Sequence, residues 1–73
     1  MTKLPQVSGR ECVNALQRVG YVVRRQTGSH IVLTRQDPYG FVSVPNHKTL
    51  KTGTLRGIIG QAGLTVEEFI ELL

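Results

Sequence analysis

Seventy-three residues fit one small domain and leave no room for a second, or for an enzyme of the dinucleotide-binding or barrel kind. Nine Lys and Arg against five Asp and Glu give a formal charge of +4, and three of those acids, Glu67, Glu68 and Glu71, lie in the last seven residues. Residues 1–66 therefore carry nine cations against two carboxylates, a body that attracts phosphates or an acidic protein.

The first element opens at Val7-Ser8-Gly9-Arg10-Glu11, where Ser8 and Glu11 have the spacing of a capping box and Val7 is placed to staple onto Cys12. Cys12, Leu16 and Val19 recur at i, i+4 and i+7, with Val13 and Ala15 widening the stripe. A helix is therefore expected over 9–19, ended by Gly20. Cys12 falls on the apolar stripe and reads as core rather than nucleophile. As the single cysteine it permits no internal disulfide, which fits a reducing compartment.

From Tyr21 the period changes. Residues 21–26 and 29–35 are rich in β-branched side chains and flank Thr27-Gly28, which reads as the two-residue turn of a hairpin. Asp37-Pro38-Tyr39-Gly40 forms a second turn, and Phe41-Val42-Ser43-Val44 a third strand stopped by Pro45. The expected meander is antiparallel, with Val22, Ile31, Leu33, Val42 and Val44 on its buried face. After a polar, basic connection over 46–52, Leu55, Ile58, Ile59 and Ala62 mark a second helix closed by Gly63, with Thr52 or Thr54 as its cap. Gly57 and Gly60 inside it cost about 1 kcal/mol each against alanine if exposed, and close packing against another element is one compensation. Thr65 with Glu68 makes a second capping box before a last helix bearing Val66, Phe69, Ile70 and Leu73, and Leu64 is placed to staple onto Phe69. The order α-β-β-β-α-α gives an α+β fold, one domain over 1–73, with helices on one face of a three-stranded antiparallel sheet and water on the other. No apolar run spans a membrane and the N-terminus lacks a signal-peptide stretch, so the expected protein is cytoplasmic, with no membrane partner.

Two clusters bear chemistry. His30 alternates to the face opposite Ile31 and Leu33. With Thr27-Gly28 as the turn, Arg25 lies directly across from it on the same face. Imidazole exchanges protons near neutral pH, and a guanidinium beside it stabilises charge developing on phosphate. On spacing alone, however, an ordinary exposed strand histidine is the commoner case. The second cluster, Pro45 to Leu55, sets Lys48, Lys51 and the hydroxyls of Thr49, Thr52 and Thr54 before a helix start, where free N–H groups favour an anion. Plain capping beside a solvated loop weighs as much. His47 is a second titrating group or a packing residue. Cys12, His30 and His47 lack zinc spacing, and Glu67 and Glu68 serve a helix dipole, so neither metal nor cofactor is expected. Arg10, Arg18, Arg24, Arg35 and Arg56 read equally well as solvated surface charges.

Taken together, Leu4-Pro5, Val7-Ser8-Gly9-Arg10-Glu11, Gly20-Tyr21, Arg25-Gln26-Thr27-Gly28-Ser29-His30, Val44-Pro45-Asn46-His47, Lys51-Thr52-Gly53-Thr54-Leu55-Arg56 and Gln61-Ala62-Gly63-Leu64 resemble the HicA-type toxins of bacterial toxin–antitoxin pairs. Each piece is weak alone; their order and spacing over nearly the whole chain are specific. The resemblance implies a fold like a double-stranded RNA-binding domain, α-β-β-β-α, with an extra short C-terminal helix. It implies ribosome-independent cleavage of mRNA, neutralisation by a HicB-type antitoxin, and His30, in Gly28-Ser29-His30, as the catalytic histidine. His30 would then act as base on a ribose 2′-hydroxyl or as acid on the leaving oxygen, without a metal. The expected RNA-binding residues are Arg24, Arg25, Ser29, Lys48, Lys51 and Thr54. The rival readings are a non-catalytic RNA-binding module of the same fold, which Lys51 and Arg56 support only sparsely, and a subunit whose basic face serves an acidic protein.

Overall fold

The computed structural model describes residues 3–73. Its elements run α1 (Gly9–Gln17), β1 (Val22–Thr27), β2 (His30–Gln36), β3 (Tyr39–Pro45), α2 (Thr52–Gln61) and α3 (Val66–Glu71), the α+β order expected. The Ser8 hydroxyl accepts from Glu11 N–H at 3.0 Å, and the Glu11 carboxylate accepts from Ser8 N–H at 2.8 Å, closing the capping box that starts α1. Val7 and Cys12 both enter the core. The helix stops at Gln17, short of Val19, because residues 18–20 tighten into i→i−3 bonds before Gly20 takes its positive φ of 97°.

The sheet order is β1-β2-β3, antiparallel throughout. Ile31 and Leu33 of β2 and Val42 and Val44 of β3 face the helices and join Leu16, Leu55, Ile58, Ile59 and Phe69 in one core. Val22 does not. It is 53 % exposed and pairs with Thr34 on the opposite face. A bulge between Val23 and Arg25 resets the alternation of β1, an edge strand exposed along its whole length. β3 begins two residues before Phe41, so the second turn shrinks to Asp37-Pro38, joined by a cis peptide bond. Pro45 is the last residue of β3 rather than a stop beyond it, which an edge strand tolerates because no ladder donor is needed there.

Neither Thr52 nor Thr54 caps α2: Lys51 stands at its N-cap and makes no side-chain capping bond. Gly57 and Gly60 face open space rather than a packed neighbour. The second capping box, Thr65 with Glu68, is formed and starts α3, whose Phe69 is fully buried with Leu64 packed against the core.

Arg35 is no solvated charge. Its position in β2 aims it at the helix layer, where it donates from Nε to Pro38 O (3.1 Å), from Nη1 to Val19 O (3.1 Å) and from Nη2 to Ala62 O (3.4 Å). Its guanidinium also lies 4.6 Å from the centre of the Tyr21 ring. Neither α1 nor α2 has a basic residue in its last turn, and this one side chain brings positive charge to carbonyls at the ends of both. No described helix is long and apolar enough to cross a membrane.

Candidate nucleic-acid interface

Antiparallel pairing sets the open face of the sheet out in rows of side-by-side residues. The row at the tip of the first hairpin is Thr27–His30–Pro45. Next comes Arg25–Val32–Ser43, then Val22–Thr34–Phe41, and last the pair Gln36–Tyr39. Arg24 occupies the bulge, and its Nε donates to the Thr34 hydroxyl at 2.8 Å, which holds that guanidinium on the same face. His30, Arg24 and Arg25 are all exposed. None of the residues in these rows is a carboxylate.

His30 thus stands where alternation put it, but its partner across the ladder is Thr27 rather than Arg25. The turn is Gly28-Ser29. Gly28 alone has positive φ, at 54°, the pattern of a II′ turn with glycine first. A Thr27-Gly28 turn of type I′ would have forced the β-branched Thr27 into the left-handed region, which costs energy for any residue with a branched Cβ. The correct turn slides β1 by two positions against β2, so the face is kept and the partner changes. Arg25 sits one row from His30, a diagonal of about 7–8 Å that a long side chain can span.

The loop after β3 is tied to this end of the sheet. Asn46 N–H donates to Ser29 O, Gly9 N–H to His47 O at 2.8 Å, and Leu50 N–H to Val7 O at 2.8 Å. Gly9 is required here: a Cβ on it would overlap the Pro45 carbonyl oxygen. These contacts join the hairpin tip, the end of β3 and the start of α1. Ser29 contributes its backbone carbonyl to that latch, while the His47 and Lys48 side chains remain exposed on the loop. Lys51 and Thr54 lie at the start of α2, exposed, and among the described residues share no hydrogen bond with the His30 row. The site as assembled therefore groups His30, Arg25 and Arg24 on the sheet face, with Lys48 on the latched loop and Lys51 and Thr54 farther along the chain. Arg10 was read from the sequence as a solvated surface charge, and it is exposed. It follows Gly9 directly and so brings an exposed cation next to the latch, and the glycine in a capped first turn was its only signal.

Other chemistry lies apart from this face. Cys12 is fully buried, and burial pushes its thiol up to about 12, which makes it inert rather than nucleophilic. Among the described residues no three His, Cys, Asp or Glu side chains gather in a group able to hold a metal ion. A shallow groove lined by Glu11, Asn14, Arg18 and Leu72 belongs to the helix layer, not to the open face.

Residues 9–64 match the family model described as the HicA toxin of bacterial toxin–antitoxin systems. The match runs from the first residue of α1 through the three strands and α2, and ends before α3. Comparison with curated proteins returned no match.

Proposed function

The chain belongs to the HicA toxin family of bacterial toxin–antitoxin systems, and from that premise we propose that it is an endoribonuclease that cleaves mRNA with His30 as its proton-transfer group. The observation that carries this reading is the placement of His30: exposed, on an open sheet face that holds Arg25 and Arg24 and no carboxylate. In the reaction the 2′-oxygen attacks the adjacent phosphorus and the bond to the 5′-oxygen of the next nucleotide breaks. His30 removes the 2′-hydroxyl proton as base or delivers a proton to the departing 5′-oxygen as acid. The products are a 2′,3′-cyclic phosphate and a free 5′-hydroxyl. Arg25, one row away, and Arg24 offset the charge gathering on the phosphate. Lys48, Lys51, Thr54 and Ser29 extend the contact to neighbouring phosphates. The route needs no metal ion. The natural restraint is a HicB-type antitoxin laid over the same cationic face, and the setting is the cytoplasm.

The test compares the purified protein with His30→Ala on a defined RNA in chelator, with end-group analysis. His30→Ala is expected to retain RNA binding and to lose about 10²–10⁴-fold in cleavage rate, the usual worth of positioned proton transfer. Undiminished cleavage by His30→Ala, or cutting of a strand with 2′-deoxyribose at every position, refutes the mechanism.

A further inference from the structure

The chain has four aromatic residues and no tryptophan. Tyr21 and Phe69 are buried, as a small core demands, whereas Phe41 is 52 % and Tyr39 75 % exposed. Both exposed rings belong to β3 and alternate onto the open face, in the rows beyond Arg25. Solvating an aromatic ring forgoes the burial energy that the other two rings collect. Two of them side by side along one strand, next to cations and with no carboxylate in the paired rows, form a surface complementary to a polyanion that carries flat π faces. Single-stranded nucleic acid fits that description. A duplex keeps its bases stacked on one another and offers only backbone and groove edges.

We propose that the open sheet face is a stacking platform for single-stranded RNA. Bases rest on Phe41 and Tyr39, Arg24 and Arg25 meet the intervening phosphates, and the scissile linkage lies at His30. This rests on the endoribonuclease reading above and deepens it by naming the strandedness of the substrate and the side chains that position it. Two rows, or four residues, separate the Phe41 row from the His30 row, about 14 Å at ~3.4 Å per strand residue. A strand rising by about 3.4 Å per nucleotide reaches Phe41 roughly four nucleotides from the cut, and a more extended one reaches it sooner.

The experiment measures binding in a His30→Ala background, so that no RNA is consumed, using a labelled octanucleotide, the same sequence as a duplex, and the antitoxin. Phe41→Leu keeps an apolar strand residue at an exposed position and removes only the π face. It is expected to weaken octanucleotide binding by roughly 5- to 150-fold, the range for one lost base–aromatic stack. An abasic nucleotide at the stacked position reproduces that loss in the parent and adds nothing to Phe41→Leu. Phe41→Trp restores affinity and, as the single tryptophan, loses emission when RNA binds. The platform is overturned if Phe41→Leu binds the octanucleotide as the parent does, if the tryptophan is unquenched, if the duplex binds as tightly as the single strand, or if only antitoxin affinity falls. Failure here is separable from failure of the nuclease reading. Cleavage that needs His30 and ignores Phe41 defeats the platform alone, whereas platform-dependent binding by a wild-type protein that cuts nothing defeats the nuclease alone.

Discussion

Replacing Arg35 with alanine is expected to cost about 2–4 kcal/mol of folding stability, more than most surface positions and nearly as much as a core truncation. Two of its three hydrogen bonds, to Pro38 O and Val19 O, are 3.1 Å long, and the third, to Ala62 O, is weaker at 3.4 Å. A bond from an ionised donor contributes about 1.5–3 kcal/mol, and the half-exposed setting of this side chain argues for the lower end of that range. The cation–π contact with Tyr21 adds roughly 0.5–1 kcal/mol. Ala62 O keeps one partner, the Tyr21 hydroxyl at 3.3 Å, so its desolvation is not fully exposed by the substitution. Against a total stability of about 4–11 kcal/mol for a chain of this size, the loss is a large fraction. At roughly 4–8 °C per kcal/mol it lowers the thermal midpoint by about 8–32 °C, readable by far-ultraviolet circular dichroism with urea titration as a check. Arg35→Lys should recover less than half, because a point charge on a flexible stem lacks the planar fork that serves several carbonyls and the flat face that lies on Tyr21. A loss below about 1 kcal/mol in Arg35→Ala, or full recovery by lysine, would show that the guanidinium does not hold these elements together.

Two further substitutions probe the helices. Burial raises the Cys12 thiol from 9.0 to about 12, so both states hold the proton below pH 9 and that contribution is whole there. As the pH climbs toward 12 the unfolded chain ionises while the folded one does not, and stability falls by at most ~1.4 kcal/mol per pH unit. The fall in urea midpoint between pH 8 and pH 10 should therefore be steeper in the wild type than in Cys12→Ala, and equal slopes would contradict the assigned burial. Gly57→Ala and Gly60→Ala should each raise stability by about 0.4–1 kcal/mol, since a Cβ at either position meets nothing within 4 Å. A lowered unfolding midpoint in either variant would mean that the exposed face of α2 is under some constraint the structure does not show.

Element order and both side-chain capping boxes were legible because they depend on short-range spacing: Ser8 with Glu11, Thr65 with Glu68, and the apolar periods of α1 and α2. The sheet was legible in its faces where the pattern is strong. Ile31, Leu33, Val42 and Val44 alternate without interruption and are all buried. Val22 was misread because a bulge leaves no mark in a run such as Val22-Val23-Arg24-Arg25, where either valine satisfies the pattern. The helix start at Lys51 was misread for a related reason. Threonines at 52 and 54 have good capping chemistry, but the backbone enters the helix one residue earlier, after Leu50 N–H has been claimed by Val7 O.

The arginines show most clearly where local reading ends. Arg24, Arg25 and Arg35 are indistinguishable as residue types on strands; Arg24 and Arg35 admitted the reading of solvated charges, and Arg25 was placed beside His30. Their fates diverge through contacts at long sequence separation. Arg35 reaches back to Val19 and forward to Ala62, Arg24 is held by Thr34 across the ladder, and Arg25 has neither tie. What decides between them is the parity of each position relative to the bulge and to the turn at Gly28-Ser29. Arg35 shares the parity of Ile31 and Leu33 and is committed to the helix layer; Arg25 shares that of His30. The hairpin turn is therefore the element on which the site depends most. A slip by one residue in β1 would send Arg25 to the helix face and bring either Gln26 or Arg24, according to its direction, opposite Val32 in its place. Glycine at position 28 followed by a residue of ordinary φ disfavours that slip, so the same Gly-Ser-His run that presents the imidazole also sets the register that makes Arg25 its neighbour.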